Sequence, residues 1–432
     1  MVLDWLGSLL VALTWIGCGM MWIANLAMLG QLFGYLALRK SGLALERQRL
    51  AASLPHDDEL PDVVIQLPSF NEGAIVERGI ANAIALDWPK SKLHVQVCDD
   101  STDGTTEIAR AEAAKAVAQG FDVQVIHRTD RTGFKAGSLQ AAMNRTDFQY
   151  FAILDIDFIT PRDFLRRAMA VLLSDPDFAF VQTRMDFLNI DANALTRGQS
   201  MLLDQHFAID QPMRYWSGQA MPFNGTGGIW RRKGIDAGGG WRGETLSEDW
   251  ELSYHARLHG MCGVFVTSVS AAGELPADWR TWTTQQRRWA KGTGQVAWSM
   301  LPRVFSQTGL SPLYRLATLF PLALWFCYVM FAATVFLTLG AIALKPALAV
   351  PLGLTAGLSY ISTFLFMALV MWFAARAAGH HRSAGKFVRD YSAVPVLGLY
   401  VSWLHLCSVP AIVLGRDAVF ERTPKQGATP VA

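Results

Sequence analysis

The sequence predicts an α/β unit, built on a mostly parallel sheet with helices on both faces, combined with an α-helical transmembrane region. Three observations carry this expectation. Of 432 residues, 51% are hydrophobic and 17% charged, which is apolar for a soluble enzyme and polar for a pure membrane bundle. Four segments, 5–38, 316–344, 346–375 and 391–415, contain no Asp, Glu, Lys or Arg, and each exceeds the roughly 20 residues that cross a hydrocarbon core. Between the first and the second, short apolar runs alternate with helix-like stretches.

Taken in order, residues 1–40 form the first span. No basic residue precedes it and no small-residue cleavage pattern closes it, so it reads as a retained anchor rather than a signal peptide. Residues 41–280 form the α/β unit. Val63 to Pro68 is a buried strand, Asn71-Glu72-Gly73 opens a helix to about Ala85, Leu93 to Cys98 is a strand and Gly104 to Ala118 a helix; Val123 to Ile126 and Tyr150 to Leu154 continue the alternation. Ligands of such sheets gather at the carboxyl ends of the strands. Residues 281–315 are expected as amphipathic interface helices, 316–415 as three further spans, and 416–432 as a polar, disordered tail in which no further domain follows. Arg39, Lys40, Arg47 and Arg49 follow the first span, and Arg376, Arg382, Lys386 and Arg389 lie between the third and fourth, whereas only Lys345 separates the second and third. This asymmetry places the α/β unit on the cytoplasmic side of a plasma or inner membrane.

Composition also excludes. A net charge of +2 gives no case for nucleic acid. Cys18, Cys98, Cys262, Cys327 and Cys407 show no metal-type spacing and no disulfide framework. There is no GxGxxG after the first strand and no GxxxxGK[ST], so dinucleotide and P-loop readings lose their main support.

The chemistry-bearing stretches fall at strand ends. Asp99-Asp100 follows one strand and Asp155-Ile156-Asp157 another. Either pair alone is more often a turn or cap; two at successive strand ends are not so easily dismissed. On an extended backbone both carboxylates of Asp-X-Asp point the same way and share a hard divalent cation, which neutralises a diphosphate. Arg131 to Ser138 supplies Lys135 and two glycines before a helix, equally a solvated turn or a phosphate-facing helix start. Phe223-Asn224-Gly225-Thr226 offers glycine for close approach and an aromatic that stacks on a sugar, against an equal reading as a plain loop. At Ser247-Glu248-Asp249, Ser247 reads as an N-cap, and a carboxylate at a helix start is kept ionised and serves as a general base. Finally Gln285, Arg288 and Trp289 recur at i, i+3 and i+4, so one helical face offers an amide, a cation and an indole. The bland alternative is an interfacial helix, which Trp282, Lys291, Trp298 and Arg303 would suit.

Together with Pro68-Ser69-Phe70-Asn71-Glu72 and Gln285 to Trp289, these motifs resemble the membrane-bound family-2 glycosyltransferases of the cellulose synthase, chitin synthase and mannan synthase group. The resemblance spans about residues 60 to 310. Phe223 to Thr226, Gly239-Gly240-Trp241 and Glu274 to Gln286 look most like the cellulose-synthase-like mannan and glucomannan synthases. It implies a GT-A fold, inversion at the anomeric carbon, Mg2+ or Mn2+, and a nucleotide-sugar donor such as GDP-mannose or UDP-glucose. By resemblance, Glu72, Asp99 and Asp100 meet the nucleoside, Lys135 the diphosphate, and Asp155 and Asp157 the donor and metal. Asp249 becomes the base with Glu248 beside it; Gln285 and Arg288 meet the donor; Phe223, Asn224, Gly225 and Trp289 meet the acceptor. Ser247 stands where Thr is more familiar, and a carboxy-terminal cyclic-dinucleotide-binding barrel is not expected. The function expected is hexosyl transfer, processive, to a β-linked polysaccharide exported through the protein's own spans. A transferase adding one or a few sugars to ceramide or diacylglycerol, and an inactive channel or scaffold, are the alternatives.

Overall fold

In the computed structural model, which describes residues 2–52 and 54–415, the apolar runs become seven strands. These are β1 (Val63–Ser69), β2 (Leu93–Asp99), β3 (Asp122–His127), β4 (Tyr150–Ile153), β5 (Phe178–Phe187), β6 (Gly228–Arg231) and β7 (Cys262–Gly273). They form one sheet in the order β3-β2-β1-β4-β6-β5-β7. Pairing is parallel except at β6, which runs antiparallel to both β4 and β5. The sheet is mostly parallel, as expected from sequence, with β6 as the one reversed strand. The reversal matters, because the amino end of β6 lies at the same edge as the carboxyl ends of its neighbours.

The helices are α1 (Val2–Leu50), α2 (Ile75–Ile84), α3 (Thr105–Ala118), α4 (Phe134–Met143), α5 (Phe164–Leu173), α6 (Ala194–Gln205), α7 (Gln211–Trp216), α8 (Arg232–Ala237) and α9 (Glu248–Leu258). They continue with α10 (Trp279–Ser306), α11 (Pro312–Leu344), α12 (Ala349–Ala377), α13 (Ala384–Tyr391) and α14 (Val394–Val413). Strand side chains alternate between faces with period two. Accordingly Val63, Ile65 and Leu67 pack with α2, α3 and α5, whereas Val64, Phe151 and Ile153 pack with α4, α8 and α9. Each fully buried aliphatic of this kind contributes about 1.5–3 kcal/mol. Both faces of the sheet are therefore covered, as the alternation predicts.

Two boundaries differ from expectation. The helix expected to open at Asn71 begins at Ile75, because Asn71 (φ 56°) and Gly73 (φ 57°) adopt left-handed backbone conformations that no helix continues. That stretch is instead pinned to the turn after β2, where Asn71 Oδ1 accepts from Thr102 N at 2.8 Å and Ser101 Oγ accepts from Asn71 N at 2.9 Å. The expected interface helices of 281–315 are a single 28-residue helix, α10, with Pro302 near its end. Within it Trp282 is not at an interface: it is 1% exposed and stacked on Tyr400 of α14. Trp298, 54% exposed, fits the interfacial expectation.

Four helical segments, Val2–Leu50, Pro312–Leu344, Pro346–Ala377 and Ala384–Val413, are long and apolar enough to cross a membrane. The first is unbroken over 49 residues. It packs closely on α11, where a Cβ at Gly17 would lie 2.3 Å from Thr334 Oγ1. Past its apolar stretch it continues to the α/β unit, where buried Glu46 accepts from the N and Oγ1 of Thr267 and the N and Oγ of Ser268 at 2.6–3.1 Å. Four donors satisfy a carboxylate whose burial would otherwise be costly. The expected tail 416–432 lies outside the described residues.

The turn after α12 docks on the same unit. His380 places Nδ1 3.0 Å from Asp204 Oδ2 on α6 and Nε2 3.2 Å from Asp186 Oδ1 on β5. These two hydrogen bonds push the imidazole pKa up to about 9. His380→Gln is expected to lower the thermal midpoint of the full chain by about 2–4 °C for each kcal/mol lost. The sign with pH is fixed: the contribution is complete below about pH 6.5, the ordinary range of histidine, and is lost as pH rises through about 9. Thermal scans of both proteins across pH 6–9.5 check this, and a gap that widens with pH would contradict it.

Candidate active site

The carboxyl edge of the sheet opens into a cavity of about 660 Å³ that continues between the membrane helices. One end of it is assembled from five loops, the starts of α4 and α9, and one face of α10.

At β2 the two aspartates separate. Asp99 is fully buried and turned away from the cavity, accepting from Thr106 Oγ1 at 2.6 Å and Ser101 N at 3.1 Å, with His127 Nδ1 at 2.8 Å. It braces the turn; the direct nucleotide contact expected of it is not available, because its lone pairs are spent inside. Asp100 does line the cavity and meets Arg128 with a two-pronged contact of 2.8 and 2.6 Å. Glu72 lines it from the loop after β1. Beside them the Arg131 guanidinium lies 3.4 Å from the Phe70 ring centroid, both on the cavity wall. Arg128 was not singled out from sequence, since only the β2–β3 pairing brings it to Asp100.

After β4, Asp155-Ile156-Asp157 forms a turn, closed by Phe158 N donating to Asp155 O at 2.9 Å, rather than an extended run. The shared direction expected from strand alternation therefore has a different origin, yet both carboxylates line the cavity. Lys135, at the start of α4, donates to Asp155 Oδ1 at 2.6 Å and to Gly225 O at 2.9 Å. Burial opposes its charge, but Asp155 and Glu248 outweigh that and raise its pKa.

The 223–227 loop arrives through the reversed strand, with Gly227 N donating to Ile153 O at 2.9 Å. Phe223 does not present its ring to a sugar. It is 0% exposed and wedged edge-on between Phe180 and Trp230, anchoring the loop in the core. Asn224 and Gly225 do line the cavity. Asn224 N donates to Gln182 Oε1 at 2.9 Å, and Asn224 Oδ1 is 2.9 Å from His206 Nε2. Gly225 has φ 77°, and a Cβ there would lie 3.4 Å from Asp249 Oδ2.

Ser247 precedes α9 at the N-cap position, but its side chain makes no capping bond. It faces α10 instead, where a Cβ on Gly292 would lie 2.3 Å from Ser247 Oγ, and Leu246 N donates to Gln295 Oε1 at 3.0 Å. Glu248 and Asp249 then enter the cavity. The helix start does not keep Asp249 at an ordinary carboxylate pKa: burial, and next Glu248, push it up to about 7. Burial raises Glu248 too, against Lys135. On α10, Gln285, Arg288 and Trp289 all line the cavity, as their spacing predicts. Burial lowers the Arg288 pKa, while Glu248 and Asp155 favour its charge.

The arrangement places a buried carboxylate of near-neutral pKa, Asp249, in one cavity with two cations and further carboxylates. It suits deprotonation of a hydroxyl next to a departing anion. The contact at Gly292 sets the spacing between the start of α9, which carries Asp249, and the Arg288 helix. Gly292→Ala is expected to cost about 10²-fold in turnover through displacement of the two elements. Gly353→Ala, at an open position on α12, should cost nothing. Equal turnover of both variants would show that the α9–α10 spacing is not critical.

The profile described as glycosyltransferase like family 2 matches residues 61–292. The chain is 36% identical over 259 residues to glucomannan 4-beta-mannosyltransferase 2 of Arabidopsis thaliana, covering 58% of this chain and 48% of that protein. It is 35% identical over 285 residues to glucomannan 4-beta-mannosyltransferase 1 of Oryza sativa subsp. japonica, covering 62% and 55%. The chain spans about half the length of the curated relatives it matches. Among solved structures, the mannosyltransferase PcManGT from Pyrobaculum calidifontis, in complex with GDP-Man and Mn2+, shares the fold with a TM-score of 0.58 and 18% identity, over 95% of this chain and 100% of that one.

Proposed function

The chain belongs to glycosyltransferase-like family 2, and we propose that it is an inverting hexosyltransferase that moves mannose from GDP-mannose to a β-linked glycan acceptor. The observation that carries this is Asp249, raised to about 7, sharing one cavity with Lys135 and Arg288. The names of the relatives, 4-beta-mannosyltransferases, support mannose; GDP-Man in the fold neighbour supports the donor. UDP-glucose is the second donor to compare.

In this reading the acceptor hydroxyl oxygen attacks the anomeric carbon and Asp249 takes its proton. The bond from that carbon to the diphosphate oxygen breaks, the electron pair leaves with the nucleoside diphosphate, and configuration inverts. Arg288 offers the departing phosphates a planar donor fork, and Lys135 a second positive charge. Glu72, Asp100 and Arg131 border the space for the nucleoside, and Trp289, Asn224 and Gly225 that for the acceptor.

Asp155 and Asp157 fit a divalent cation. Both present hard oxygen ligands to the cavity, and among the described residues no third His, Cys, Asp or Glu joins them in a metal-type cluster, so diphosphate oxygens and water would complete the shell. When bound, Mg2+ or Mn2+ neutralises diphosphate charge. Arg382 donates to Ser200 Oγ at 2.8 Å, so the basic loop after α12 lies on the side of the transferase unit, which supports a cytoplasmic unit in a plasma or inner membrane. A cavity lined by Glu72, Asp100, Asp155, Asp157, Lys135 and Arg288 supports a transferase over an inert scaffold.

Asp249→Asn should reduce transfer by about 10²–10⁴ or more while leaving donor affinity nearly intact. Steady-state transfer beside nucleotide-sugar binding measures both; near-normal turnover would remove Asp249 as base. Excess chelator should abolish transfer, and added Mn2+ or Mg2+ should restore it. Full activity in chelator would leave Asp155 and Asp157 as structural carboxylates.

A further inference from the structure

Beyond the catalytic end, the cavity holds a cation that the reaction does not use. Arg214, on α7, is 1% exposed and lines the cavity, and its Nε and Nη1 have no hydrogen-bond partner. The other Lys and Arg residues of the lining, Arg131, Lys135 and Arg288, all belong to the donor end. Asp210, one turn earlier, also lines the cavity and feels the Arg214 charge, without a direct ion pair between them among the described residues. The backbone leading here is a π turn over His206–Asp210, a form often found at functional sites. Through His206 it touches Asn224 beside the base.

The membrane half of the same cavity is a slot of different character. Met21, Met28, Phe331, Phe364, Met367 and Val401 line it. Several of its polar side chains bond to the helices themselves: Asn25 to Ser362 at 3.2 Å, Thr363 to Ser359 O at 2.8 Å, Ser402 to Gly398 O at 2.8 Å, and His405 Nδ1 to Val401 O at 2.8 Å, whereas Gln31, with an unpartnered Oε1, and Tyr328 also line it. Methionine, leucine and aromatic carbon make up most of this wall, which hydrocarbon fills without hydrogen bonds; beyond Gln31 and Tyr328 the partners a sugar chain needs are sparse. On α1 the lining runs from Met21 to Gln31, roughly 15 Å of helix at 1.5 Å per residue. Arg214 lies at the polar end of that slot, because α7 packs on α1 at Gly34 through Met213 and at Gly42 through Trp216. A buried guanidinium with free donors, set where an apolar slot meets a polar chamber, matches an amphiphile with an anionic head.

We propose that Arg214 binds the phosphate of a lipid-linked acceptor, with its hydrocarbon lying in the slot between α1, α11, α12 and α14 and its sugar end reaching Asp249. The sugar end rests on the glycosyl-transfer reading; the phosphate site does not.

Binding of geranylgeranyl phosphate and of geranylgeraniol to the full chain in detergent tests the site without catalysis. The phosphate should bind about tenfold or more tightly than the alcohol. Arg214→Gln should abolish that preference and Arg214→Lys should keep part of it. Equal affinity for the two lipids in the wild type, or an unchanged preference in Arg214→Gln, overturns the proposal; so does inorganic phosphate matching the lipid phosphate. If Arg214→Gln does not fold, the wild-type and Arg214→Lys comparisons decide. A parallel assay follows nucleoside diphosphate released from GDP-mannose and UDP-glucose. Its failure with preferential lipid-phosphate binding intact would sink the transferase reading and leave the Arg214 site standing.

Discussion

One buried ammonium holds the catalytic end together. Lys135 ties the start of α4 to the turn after β4 through Asp155, and to the loop before β6 through the Gly225 carbonyl. Three segments far apart in sequence thus converge on a single charge. That charge survives burial because carboxylates surround it: Asp155 in contact, with Glu248 and Asp249 further off. The dependence is mutual, since those carboxylates would be still harder to ionise without the cation. Removing either sign would leave the other stranded in a low-dielectric pocket, the most costly state a buried ion can occupy.

Much of this was legible in the residues. The first four strands show themselves because their apolar runs are bounded by Asn, Asp and Gly, whereas β5, β6 and β7 were not read from the sequence; the face made by Gln285, Arg288 and Trp289 follows from helical spacing alone. What escaped were properties that only tertiary pairing determines. Phe223 looks the same in sequence whether it faces a sugar or a core; Phe180 and Trp230 decide. Asp99 and Asp100 are neighbours with opposite fates, because His127 and Arg128 arrive from the adjacent strand. Trp282 reads as interfacial until Tyr400 covers it. The raised pKa of Asp249 was hidden for a related reason: a helix start argues for an ionised carboxylate, and only depth of burial and the adjacent Glu248 reverse that. The direction of β6 had no sequence signal either, although it delivers the 223–227 loop to the catalytic edge.

The cavity joins two solvents. At one end its walls are carboxylates and cations that prefer water or each other. At the other they are methionine and aromatic side chains among helices apolar enough for a bilayer. No separate domain boundary intervenes, because α10 carries the Arg288 face while packing on α11 and α14, with Trp325 donating to Ala290 O at 3.0 Å. Chemistry and membrane are therefore parts of one packed object.

The length of α1 has a mechanical meaning. Forty-nine unbroken residues extend roughly 75 Å, more than twice the hydrocarbon thickness of about 30 Å. A stiff rod of this kind, gripped by Thr267 and Ser268 at one end and apolar enough to lie in lipid along the other, is a lever. A thinner bilayer tilts the immersed arm, and with no joint between the arms the tilt is delivered to the strand that carries Thr267. Any tilt of the apolar arm therefore carries the Thr267 strand with it instead of being absorbed at a hinge.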